Sequence, residues 1–163
     1  MYLIDASDVL SKVPRYERYL SASELDEKSK QLAQEYPGKV SLLRLGKTRG
    51  GKDIIGLRIG KGKHNALVYG FPNPEEPLGG LVLDYFSRAL ATEEELEQLN
   101  HTWYLINCID PDGAQLAECY LKGPYTPYNW ALNYYRTPVR ATGEDNFPYR
   151  YEDLDLTHNC AMP

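Results

Sequence analysis

Tyr69-Gly70-Phe71-Pro72-Asn73-Pro74-Glu75-Glu76-Pro77 decides the reading of this chain, because an apolar run enters it and an amphipathic helical pattern leaves it. Upstream, Ala66 to Gly70 is continuously apolar, as expected of a short strand buried on both faces. Downstream, Pro77 suits the first position of a helix. Leu78, Leu81, Val82, Tyr85, Phe86, Ala89 and Leu90 then recur on one stripe. A strand that turns directly into a helix is the unit from which parallel sheets are built.

On the C-terminal side of this unit, Thr92 to Glu95 has capping-box spacing and predicts a second, short helix carrying Leu96 and Leu99. Trp103 to Cys108 follows as another buried strand. On the N-terminal side, Ser21-Ala22-Ser23-Glu24 is a capping box for a helix with Leu25, Leu32, Ala33 and Tyr36 inward. Glu24 to Lys28 and Asp26 to Lys30 are expected to pair on its outside, and Pro37-Gly38 ends it. Val40 to Leu45 and Ile54 to Ile59 read as adjacent strands joined through the glycine-rich, basic segment Gly46 to Lys52. The order predicts an α/β domain with a mixed β-sheet flanked by helices, its first hairpin antiparallel and its later strands joined by a helical crossover. Residues 1–163 read as a single domain. Beyond Asp110 the regular pattern fades, Gly123 to Pro148 is loop-like, and Ala161-Met162-Pro163 closes no strand or helix, which reads as a cut through a domain.

Composition removes several classes of function. A net charge of -5 gives no field to gather nucleic acid or an anionic membrane. The Met1 to Ser11 segment contains Asp5 and Asp8 and lacks the basic start and apolar run of a signal peptide, and no window approaches the roughly 20 apolar residues of a membrane span. The expected location is cytoplasmic. Cys108, Cys119 and Cys160 lack Cys-x-x-Cys spacing and read as plain thiols. His64 and His101 read as exposed loop residues flanking strands.

Four landmarks in order then resemble the zinc carboxypeptidase family. Tyr36-Pro37-Gly38 follows the first helix. Gly46-Lys47-Thr48 with Gly51-Lys52-Asp53-Ile54 is similar to the family's Gly-x-Ser and Gly-Arg/Lys-x-Ile turn. The turn ending in Glu76-Pro77 resembles its Gly-x-x-His-x-x-Glu-Pro metal turn, and Ile109-Asp110-Pro111-Asp112-Gly113 resembles its Asn-Pro-Asp-Gly turn. The resemblance implies the family's fold (phosphorylase/hydrolase-like) over the first half of the domain. It also implies hydrolysis of a peptide or amide substrate by zinc-bound water.

Residue by residue, the resemblance places metal ligands at Glu76 and Asn73, where Asn73 stands in the family's His position. An amide oxygen is a poor replacement for imidazole on zinc. The family's third ligand and general base would lie beyond Pro163, so no catalytic residue is assigned. His158 in Thr157-His158 is similar to the family's Ser-His but comes too early. Arg136 is the candidate substrate-binding arginine, and Glu144 and Asp145 stand where the family has an Asn-Arg pair. The expected cofactor is zinc, with tight binding by these residues alone unexpected.

Other readings stay open beside this one. A carboxylate ahead of a helix start is favoured by the helix dipole, which accounts for Glu76 without a metal. Asp112 is expected to shape its turn. Lys47, Arg49 and Lys52 form either an anion site or a solvated hairpin tip. The alternative to a hydrolase domain is a non-catalytic peptide-binding module or one part of a two-chain assembly. An unpaired sheet edge would then favour self-association or a complementing chain.

Overall fold

The computed structural model describes residues 6–72 and 76–116, with Glu118, Thr126 and Pro127. Helix α1 (Ala6–Ser11) and helix α2 (Ala22–Glu35) precede strands β1 (Val40–Lys47), β2 (Asp53–Ile59) and β3 (His64–Tyr69). Helix α3 (Leu78–Thr92), a 3-10 helix (Glu94–Leu99), strand β4 (His101–Ile106) and helix α4 (Pro111–Leu116) follow. The four strands form one sheet in the order β1-β2-β4-β3. β1 and β2 are antiparallel, β2 and β4 antiparallel, and β3 and β4 parallel, so the sheet is mixed as the element order implied.

Local chemistry explains the elements that matched. The Ser21 hydroxyl accepts from the Glu24 amide while the Glu24 carboxylate accepts from the Ser21 amide, a complete capping box. The outer ion pairs of α2 differ from i,i+4 expectation: Arg18 grips Glu24, Lys30 meets Glu27 and Lys28 reaches Asp84. Only Lys28 found a tertiary partner; Lys30 took a nearer partner in the same helix, and Glu24 was taken by Arg18 just ahead of it. Leu32, Leu57, Ile59, Leu83, Leu90 and Leu105 form the main core, with α2 and α3 packed together against the sheet.

Four expectations need correction. β3 is not buried on both faces; it pairs only with β4 among the described residues, and Leu67 and Tyr69 are 63% and 53% exposed. Thr92 caps nothing: it is the last residue of α3, its hydroxyl bonds back to the Arg88 carbonyl, and the next segment winds as a 3-10 helix. In α3 the apolar stripe is split, for Leu83 and Ala91 are buried while Leu78 and Val82 are exposed. Those outer residues face an apolar groove of about 760 Å³ shared with Val9 and Leu10 of α1 and with Val13 just beyond it. Finally, His64 and His101 open β3 and β4 as register partners instead of lying in loops.

Candidate metal turn and its supports

The parallel pair continues past its strands. The Gly70 amide donates to the Ile106 carbonyl at 2.8 Å and the Ile109 amide to the Gly70 carbonyl at 3.1 Å. These bonds hold Phe71-Pro72 beside Asn107-Cys108 at the carboxyl end of the strands, where open α/β sheets place ligands. Phe71 turns the chain there. Its φ of 53° lies in the left-handed region, a strain offset by complete burial of its ring with Leu25, Cys108 and Ala114.

Gly70 lets the turn cross the start of α3. A Cβ there would lie 2.6 Å from the Asn107 carbonyl oxygen and 2.9 Å from backbone atoms of Gly79 and Gly80. Pro77 is the N-cap of α3, not its first helical residue, and it makes no side-chain cap bond. Glu76 is exposed just ahead of that helix start, where the dipole favours a carboxylate. It joins Tyr69, Pro72, Leu78 and Val82 on the wall of a cavity of about 550 Å³, of which it is the only charged described residue.

The facing connection is polar and buried. Asn107 is 4% exposed and donates from Nδ2 to the Ser29 hydroxyl at 2.9 Å, while its Oδ1 is buried with no protein partner among the described residues. Burial pushes the Cys108 thiol up to about 12, which makes it a packing residue and not a nucleophile. Asp110 caps α4, accepting from the Gly113 amide at 2.9 Å.

Asp112 does more than shape a turn. It sits in the first turn of α4 and accepts from the Gly50 amide at 2.9 Å, with Lys52 Nζ at 3.4 Å. Lys52 also donates to the Pro111 carbonyl at 2.8 Å. Although desolvation opposes it, the Gly50 amide and the Lys52 charge hold the Asp112 carboxyl below its ordinary value. The tip of the β1–β2 hairpin is therefore tethered to α4 through Gly50 and Lys52, while Lys47, Arg49 and Gly51 stay exposed to solvent and Lys47 is engaged with Asp53 at 2.8 Å.

Of the site residues read from the sequence, the structure places Glu76. Asn73, Arg136, Glu144, Asp145 and His158 lie outside the described residues. Among the described residues no three His, Cys, Asp or Glu side chains are grouped to hold a metal. Asn107 escaped notice because it closes an apolar run; one polar residue at the end of a buried strand was the available signal.

The family model described as zinc carboxypeptidase matches residues 25–160. The chain belongs to the zinc carboxypeptidase family. Its fold is similar to bovine thrombin-activatable fibrinolysis inhibitor, solved in complex with tick carboxypeptidase inhibitor, at TM-score 0.56 and 18% identity over 63% of this chain and 35% of that one. It is also similar to carboxypeptidase A from Helicoverpa armigera, at TM-score 0.57 and 23% identity over 69% of this chain and 28% of that one. No curated protein matches. The chain spans about a third of the length of the solved structures it matches. The mixed sheet with its flanking helices is thus a carboxypeptidase fold, present in part.

Proposed function

We propose that this chain carries the metal turn of a zinc carboxypeptidase-like peptide or amide hydrolase domain with one ligand exchanged. The observation that carries the reading is the strand β3 to helix α3 junction, which sets Glu76 on the wall of a cavity beside the carboxyl end of a parallel strand pair. Support comes from the family match across that junction. The donor set does not fit zinc unaided: one exposed carboxylate at Glu76 and an amide at Asn73 fall short of the three N, O or S ligands that zinc takes in catalytic sites. Zinc calorimetry on the chain and on Asn73→His tests this. Binding in the variant alone supports an inherited site disabled at one ligand; equally tight zinc in the unmodified chain rejects it.

A second reading, a peptide-binding or two-chain assembly module of the same fold, is favoured by the outer edge of β3. Leu67 and Tyr69 stand exposed there and no strand covers the edge among the described residues. Sedimentation equilibrium decides it: a concentration-independent monomer excludes self-association. Among the described residues no helix is long and apolar enough to cross a membrane.

A further inference from the structure

At the opposite end of β3 from the metal turn, His64 and His101 face one another across the parallel pair. They are register partners, with ring centroids 5.4 Å apart at an interplanar angle of 43°. His101 is held twice. Its Nδ1 lies in hydrogen-bond contact with the Leu99 carbonyl, and its ring leans on Trp103 at a centroid distance of 5.1 Å. A carbonyl only accepts, so in the neutral ring Nδ1 carries the proton and Nε2 keeps its lone pair. That is the tautomer a metal-ligating histidine uses, with a backbone carbonyl as the outer partner. Trp103 is in turn fixed edge-on by Phe86 of α3, also at 5.1 Å. His64 is exposed and open to an incoming ion.

We propose that His64 and His101 form a two-imidazole site for a divalent transition-metal ion, copper above all, its remaining positions taken by water. With metal–nitrogen bonds of about 2.0–2.1 Å, ring centroids 5.4 Å apart are close enough for one ion to reach a nitrogen of each ring. Lys61 and Lys63 precede His64, and their charge disfavours hard cations that bind by electrostatics alone. Selectivity therefore rests on imidazole, which suits copper, nickel and zinc and follows the order that peaks at Cu²⁺. The distance along β3 separates this pair from the Glu76 turn by about 17 Å at the rise of a strand, so the two sites are independent.

Trp103 supplies the readout. In a Trp130→Phe background it is the only tryptophan, and Cu²⁺ bound at His101 lies within quenching contact of it. Titration with Cu²⁺ at neutral pH is expected to quench that emission to a plateau at one equivalent, and Mg²⁺ to leave it unchanged. Even outer partners of a ligating histidine are worth roughly 10–100-fold in affinity, so His64→Ala is expected to weaken binding at least about tenfold. His64→Gln, which retains a polar side chain, should behave as the alanine variant does. Emission unchanged by excess Cu²⁺, or a His64→Ala titration superimposing on the parent, overturns the site.

Discussion

The Gly50 amide donates to the Asp112 carboxylate at 2.9 Å, joining a hairpin tip to a helix 62 residues further along the chain. The glycine allows the approach, since a Cβ on Gly50 would lie 2.6 Å from Asp112 Oδ1 and displace that side chain. Gly50→Ala must push Asp112 aside and strand its carboxylate near Lys52. We expect a loss of about 1–3 kcal/mol, as for other overpacked contacts, measured by urea unfolding. Combined with Asp112→Ala the two losses should be less than additive, since both break one contact.

Gly70→Ala should be worse. Here the obstacles are backbone atoms of Asn107, Gly79 and Gly80, which cannot rotate away as a side chain does. The expected cost is about 3 kcal/mol or more, enough to leave a marginally stable domain largely unfolded. Circular dichroism and the unfolding midpoint check it.

Asp26 predicts a pH dependence. Burial pushes this half-buried carboxyl up to about 6, against the attraction of Lys30. In the unfolded chain an aspartate titrates near about 3.9. Between those values the folded state binds more protons than the unfolded, so stability falls as pH rises from about 4 to 6 and stays lower above. Asp26→Asn should remove that slope and raise stability at pH 7 by about 1–2 kcal/mol, a two-unit shift discounted for its partial exposure. Unfolding free energies at pH 4 and 7 for both proteins give the answer.

Glu24 predicts the opposite slope. The Arg18 guanidinium and then the Ser21 amide hold its carboxyl down at about 2. An ordinary glutamate titrates near about 4.3, so this stabilisation is full above that pH and is lost as pH falls toward 2. The two side chains are 54% and 40% exposed, which limits Glu24→Gln to about 0.5–1 kcal/mol at pH 7. Ser21→Ala should cost about 1 kcal/mol through the cap alone. Thermal melts at pH 7 and pH 3 separate the two: the Glu24→Gln deficit shrinks at pH 3, whereas the cap loss persists in part.

Much of the fold was legible because its signals are local. The Ser21 capping box, the Pro37-Gly38 stop, the Gly46 to Lys52 turn and the helix after Pro77 each depend on residues within a few positions. Strand order was not among them. Nothing in Ala66 to Gly70 says that β4 inserts between β2 and β3, which leaves β3 with Leu67 and Tyr69 exposed. An apolar run reports that a strand has apolar neighbours somewhere, without naming them.

The sequence by itself determined the family and the mixed α/β plan, both of which are written in residue identities and local patterns along the chain. Tertiary structure alone decided which distant residues meet: Gly50 with Asp112, Gly70 with Asn107 and Gly79, Ser29 with Asn107, and His64 with His101. The physical reason is that such contacts depend on strand order and helix crossing, which the whole core sets together. Local propensity carries no information about them.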